Sequence, residues 1–95
     1  MKDYEAMVIL DPDMEDEKIE ASITKIEGLI KKNGGEIEKI DRWGKRKLAY
    51  PINKQPMGYY AVLYFKGKED GIKEMDRVMR ISDDVIRHMI VVKEV

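Results

Sequence analysis

The chain contains no cysteine, and that absence removes disulfides, thiolate nucleophiles and cysteine-ligated metals together. It has one histidine, so little is available for imidazole catalysis or for a histidine-rich metal site. No apolar run approaches the ~20 residues that a membrane-spanning helix needs. The opening, Met1-Lys2-Asp3-Tyr4-Glu5, runs straight into a strand-like pattern without the features of a signal peptide. Charge of one sign is also lacking. With 18 basic and 19 acidic residues the net charge is −1, which argues against a general polyanion binder. What is present is an ordinary 43% of apolar residues in 95, enough for one compact domain over residues 1–95. A cytoplasmic location is the plain reading.

The charge is segregated rather than scarce. Six carboxylates between Asp11 and Glu20 meet a single Lys18, whereas four of the six residues from Arg42 to Lys47 are basic. Tyr4 to Leu10 alternates, with Tyr4, Ala6, Val8 and Leu10 on one side and Glu5, Met7 and Ile9 on the other, as a strand does. Asp11-Pro12-Asp13 ends it, and Asp13 is the expected cap of the helix that follows. Glu15, Asp16 and Glu17 suit that helix's first turn, and Ile19, Ile23, Ile26 and Ile30 form its apolar stripe. Asn33-Gly34 supplies a left-handed ending.

A second strand runs from Gly35 to Ile52. Ile37 and Ile40 have opposite parity, which predicts a bulge between them, and Trp43-Gly44 allows a bend. Leu48, Tyr50 and Ile52 then resume the alternation. Asn53 to Gly58, with Pro56 inside, reads as a hairpin turn leading to a return strand at Tyr59 to Lys66. Ile72, Met75, Val78 and Met79 mark a shorter helix, and Val85 to Lys93 a last strand. The order β-α-β-β-α-β predicts an α+β, ferredoxin-like sandwich, a four-stranded antiparallel sheet with both helices on one face. Its other face would carry Met7, Ile9, Tyr60, Val62 and Tyr64, with apolar or histidine residues from the last strand, more apolar surface than a solitary monomer usually exposes.

Catalysis finds little support, and neither a metal nor a cofactor is expected. His88 has no serine or aspartate close by in sequence and reads as a surface or packing residue. Asp11, Asp13 and Glu15 imitate the start of a calcium loop, but Asp16 stands where the turn glycine belongs and Ser22 where the final glutamate does. Gly34-Gly35 follows a helix instead of preceding one, so it is no phosphate cradle. Nucleic-acid recognition is better supported. Gly58-Tyr59-Tyr60-Ala61-Val62-Leu63-Tyr64 partly matches the aromatic strand of RNA-recognition modules, though cross-strand packing explains Tyr60 and Tyr64 equally. Arg42, Lys45, Arg46 and Lys47 form a basic cluster around Trp43. A solvated, aggregation-blocking strand edge is the competing explanation for that run. Arg80, Arg87 and Lys93 add a second basic area.

Asp41-Arg42-Trp43-Gly44-Lys45-Arg46-Lys47-Leu48-Ala49-Tyr50-Pro51-Ile52 resembles the Trp-Gly-Arg-Arg-x-Leu-Ala-Tyr-Pro-Ile signature of bacterial small-subunit ribosomal protein six. Tyr4-Glu5, Gly58-Tyr59-Tyr60 and Val85-Ile86-Arg87-His88-Met89 fit the same family in order, so the resemblance spans essentially the whole chain. It implies the ferredoxin-like fold and a non-catalytic role in the cytoplasmic ribosome. There the family joins small-subunit ribosomal protein eighteen, and the pair binds the central domain of 16S ribosomal RNA during assembly. A basic partner also explains how a near-neutral domain can bind RNA. On this reading Lys2, Tyr4, Arg80, Arg87, His88 and Lys93 are the RNA-binding candidates, because the first and last strands should lie side by side. Arg42, Trp43, Lys45, Arg46 and Leu48 are the candidates for contact with the partner protein. Lys45 stands where the signature has its first arginine and lacks that residue's bidentate fork.

No membrane contact and no small-molecule substrate are expected. Two rival readings remain. A ligand-sensing homodimer would pair through Tyr60, Val62 and Tyr64. A small phosphatase of the acylphosphatase kind would need an anion-cradling loop after the first strand, where Asp11-Pro12-Asp13 has the wrong sign.

Overall fold

A computed structural model of the chain describes residues 2–52 and 55–93. The elements are β1 (Lys2–Leu10), α1 (Asp16–Lys32), β2 (Glu36–Ile52), β3 (Gln55–Gly67), α2 (Glu69–Arg80) and β4 (Val85–Val92). They build one four-stranded sheet in the order β2-β3-β1-β4, with every neighbouring pair antiparallel. The two central strands therefore carry the apolar alternation, and the more charged β2 lies at an edge.

Alternation decides which residues make the core. Tyr4, Ala6, Val8 and Leu10 of β1 meet Ala61, Leu63 and Phe65 of β3 on one face. Ile19, Ile23, Ile26 and Ile30 of α1, with Met75 and Met79 of α2, close over them. The predicted bulge lies where the two isoleucines change parity, since the β2–β3 register shifts between Ile37 and Lys39. The shift puts both Ile37 and Ile40 against the core.

The helix ends show local chemistry at work. At its C-terminus α1 closes in a Schellman arrangement: Gly35 N–H donates to the Ile30 carbonyl at 2.9 Å and Gly34 N–H to the Lys31 carbonyl at 3.1 Å. Gly34 takes φ +80°, where a Cβ would be strained. The N-terminus departs from expectation. Glu15, not Asp13, occupies the cap position, and it makes no side-chain cap bond. The aspartate that works is Asp11, whose Oδ1 accepts from the Asp13 N–H at 2.9 Å. The helix begins two residues beyond the reach of an Asp13 cap because Asp11 and Pro12 first form their own turn. Asp16 and Glu17 still complement the dipole in the first turn.

The β2–β3 hairpin is longer than the sequence suggested. Gln55, Pro56 and Met57 belong to β3, with Lys47 opposite Met57 and Ile52 opposite Gln55. Pro56 is tolerated at the irregular tip of the arm, where the register shifts between Lys47 and Ile52. Asn53 and Lys54 of the expected turn, and the side chains of Tyr50 and Ile52, lie outside what the structure describes.

Candidate functional site

Among the described residues, no element lies over the face of the sheet opposite the helices. Cross-strand pairing sets its composition: Glu5, Met7 and Ile9 of β1 lie opposite Tyr64, Val62 and Tyr60 of β3, and opposite Val91, Met89 and Arg87 of β4. Ile9 and Val62 are buried by their neighbours in the sheet, but Met89 is 56% exposed and Trp43 44%. Such a face is apolar at its centre and flanked by cations.

One corner of this face is built in detail. The β2–β3 register shifts between Arg42 and Gly44, and Gly44 has φ +82°, which only glycine adopts without strain. That second bulge lays Trp43 over Tyr60, with ring centroids 6.2 Å apart and planes 8° from parallel. Arg46 donates from Nε to the Trp43 carbonyl oxygen at 3.2 Å. Beside them Gly58 has no side chain, and Ile9 and Leu48 fill its place. A Cβ on Gly58 would overlap Ile9 Cγ2 and lie 3.5 Å from Leu48 Cδ2. Leu48 is thereby buried.

Of the residues expected to meet a partner protein, Trp43, Arg46 and Leu48 come together on this corner. Arg42 and Lys45 do not. They lie opposite Ala61 and Tyr59, which face the helices, and Arg42 Nε reaches Glu20 of α1 at 2.9 Å. Arg42 lies on the other face from Trp43 by simple alternation, and the bulge between Arg42 and Gly44 puts Lys45 there as well.

The residues expected to meet RNA lie along the opposite edge, around β1 and β4. The side-by-side placement of these two strands is as expected. Lys2 and Lys93 mark one end, where the Lys93 N–H donates to the Asp3 carbonyl at 2.7 Å and its Nζ lies 3.8 Å from Glu5 Oε1. Arg80, Arg87 and His88 line a depression at the other end. The six strand steps from Arg87 to Lys93 put the two groups about 20 Å apart. Tyr4 and His88 point away from the uncovered face. Tyr4 is 7% exposed and stacks on Phe65 at 5.6 Å inside the core.

His88 lies opposite Val8 and therefore faces the helices, contrary to the expectation that the last strand would present it on the uncovered face. Met89 and Val91 take that face instead. His88 also has the aspartate partner that its sequence neighbourhood lacks. Its Nε2 donates to Asp76 Oδ1 of α2 at 2.6 Å, because an ionised carboxylate only accepts. Asp76 Oδ2 accepts from Arg80 at 2.6 Å. The His88 hydrogen bond, aided by the Arg80 charge and opposed by partial desolvation, holds the Asp76 carboxyl below its ordinary pKa.

Sequence reasoning missed Met89 and Val91 as surface residues and Tyr60 as the platform for Trp43. The signal for Met89 and Val91 was the parity of β4, readable only once its register against β1 is known, and that for Tyr60 was the bulge at Trp43-Gly44. Among the described residues, no cluster of three or more histidine, aspartate or glutamate side chains is disposed to hold a metal, and no helix is long and apolar enough to cross a membrane.

Comparison with known proteins agrees with this architecture. The profile of the Ribosomal protein S6 family matches residues 3–92. The chain is 50% identical to the small ribosomal subunit protein bS6 of Carboxydothermus hydrogenoformans over 91 residues, 96% of this chain and 95% of that one. It is 47% identical to the bS6 of Clostridium novyi over 91 residues, 96% of each. Among solved structures, the 30S ribosomal protein S6 of Thermotoga maritima superposes with a TM-score of 0.93 at 30% identity, covering 97% of this chain and 87% of that one. A chemotaxis kinase CheA P2 domain, with a TM-score of 0.65 at 13% identity over 97% of this chain and 98% of that one, shares the fold alone. Matched along nearly its whole length in sequence and in fold, the chain belongs to the ribosomal protein S6 family.

Proposed function

We propose that this protein is a non-catalytic assembly component of the small ribosomal subunit, which joins ribosomal protein eighteen and, with it, the central domain of 16S ribosomal RNA. The observation that carries this reading is the uncovered sheet face, with an exposed Met89 along its β4 edge and the stacked Trp43–Tyr60 pair at its opposite corner. Aromatic residues and arginine are the side chains that anchor protein interfaces. Trp43, Arg46 and Leu48 then form the corner against which the partner protein docks. Arg42 and Lys45 contribute charge from the flank.

RNA contact falls to the β1–β4 edge. Lys2 and Lys93 at one end, and Arg80 and Arg87 at the other, neutralise phosphates about 20 Å apart along that edge. Tyr4 and His88 serve the same surface indirectly, the first by fixing β1 in the core and the second by tying β4 to α2. A net charge of −1 gives this chain little affinity for RNA by itself, so a basic partner supplies the remaining neutralisation.

The test is a salt titration of binding to a central-domain 16S RNA fragment, with and without ribosomal protein eighteen. Weak binding alone that becomes tight with the partner is the expected result. Charge reversal of Arg87 and Lys93 together should lower affinity and flatten the salt slope by about two. Equal, weak binding in both conditions with a folded partner would sink the assembly reading, and an unchanged salt slope would sink the assignment of these two residues.

A further inference from the structure

The helix side of the molecule carries a groove that neither proposed surface uses. It is about 470 Å³ in volume and lies between α1 and the C-terminal end of α2, closed at one end by the start of β4. Leu29 of α1, Val78 of α2, Val85 of β4 and Ile81 line it with apolar surface. Ile81, the residue just after α2, is 70% exposed, the greatest exposure among the large apolar side chains described. It makes an apolar lip on a groove that is otherwise half-covered.

The rim of this groove has one sign along α1. Lys25 and Lys32 line it, and Lys18 and Lys25 line a second depression that shares Ser22 and Asp84 with the first. The three lysines stand seven residues apart, so they fall on one helix face at intervals of about 10 Å. Among the described residues none of them lies within 4 Å of a carboxylate oxygen, although the Lys32 charge acts on Glu74 of α2, whereas Lys31, on another face of the same helix, pairs with Glu27 at 3.5 Å. The carboxylate that lines the groove, Asp84, is occupied by the buried Ser22 hydroxyl, which donates to its Oδ2 at 3.1 Å.

We propose that this groove is a second docking surface, which receives an acidic amphipathic segment of a partner protein. The apolar lining takes the partner's large aliphatic side chains, with Ile81 as the contact that closes over them, and the lysine row faces carboxylates on the flank. Charge complementarity selects this occupant. A phosphate backbone would use the lysines and leave the apolar lining and Ile81 unfilled, whereas an apolar helix with carboxylates on one side uses both. The site lies on the opposite side of the sheet from Trp43 and Met89, so both surfaces can be engaged at once.

The test uses the full chain, labelled for amide NMR, and two synthetic 14-residue helical peptides. Both carry leucine at helical spacing, one with glutamate and the other with lysine on the flanks. The expected result is saturable shifts from the glutamate peptide centred on Leu29, Val78, Ile81 and Lys25, weakened by added salt, with no such shifts from the lysine peptide. Ile81→Ser and the double variant Lys25→Glu/Lys32→Glu should each weaken binding about tenfold. These positions are exposed, so the variants stay folded, and unchanged spectra elsewhere verify it. The proposal is overturned by equal binding of both peptides, by shifts confined to the uncovered sheet face, or by no shift. It is overturned as well if only a short single-stranded RNA perturbs the groove, or if the groove resonances move with the chain's own concentration, which would make the occupant a second copy.

Discussion

The two faces of this sheet are made by the same strands, often by adjacent residues, yet they have opposite fates. Ala6 and Val8 are completely buried beneath two helices, while Met7 between them belongs to a face that none of the described elements covers. Alternation places a side chain on one face or the other, but it does not cover either face. The helix-covered face is finished within the chain. Met89 and Trp43 mark the other as a surface whose burial requires a second molecule. Folding energy should therefore concentrate on the first face and binding energy on the second.

The largest expected effect is on the covered face. Leu63→Ala removes a fully buried side chain at the centre of β3 and should cost about 2–5 kcal/mol, seen as a lowered denaturation midpoint. A loss below about 1 kcal/mol would mean that this core is not tightly packed. Next comes a place where the uncovered face is itself tightly packed. Gly58→Ala forces a methyl group against Ile9 Cγ2 and should cost about 1–3 kcal/mol. It should also displace Leu48 and weaken binding to ribosomal protein eighteen.

A smaller effect should appear in acid. Asp76 has a lowered pKa in the folded state, so its contribution is complete above its unfolded value near 3.8 and is lost as pH falls through the folded value. Asp76→Asn removes that contribution, and the decline in stability between about pH 5 and pH 2 should become shallower. Denaturation midpoints measured across that range decide the matter, and an unchanged slope would show that the His88–Asp76 contact adds nothing. The smallest effect on stability should come from Met89→Ser, within about 0.5 kcal/mol of wild type because the side chain is already exposed. The same substitution should weaken partner binding measurably, which separates the two faces in one variant.

Much of this was legible in the residues. The parity of β1 and β3, the isoleucine stripe of α1 and the bulge between Ile37 and Ile40 all follow from periodicities of two and 3.6, which are local properties. What escaped was set at a distance. Val85 to Lys93 is apolar on both parities, so alternation alone could not say whether His88 or Met89 faces the helices. The pairing of Val8 with His88, together with the register shift between Ile9 and Leu10, decides it. The partnership of His88 with Asp76 depends on that register too. The split of Lys45 from Trp43 arises from the second bulge, which was legible only as a glycine that allows a bend. Asp13 failed as a cap because the turn at Asp11 and Pro12 delays the helix, whose cap position falls at Glu15.

The uncovered sheet face is proposed as the surface for ribosomal protein eighteen. The most direct test is calorimetric titration of that protein into wild type, Met89→Glu and Lys25→Glu. Because Trp43 is the chain's one tryptophan, its emission can be followed in parallel. Loss of binding at least about tenfold in Met89→Glu, an unchanged constant in Lys25→Glu and a blue-shifted Trp43 emission in wild type are predicted. Wild-type affinity in Met89→Glu with unmoved Trp43 emission would contradict the account, for the partner would then dock elsewhere.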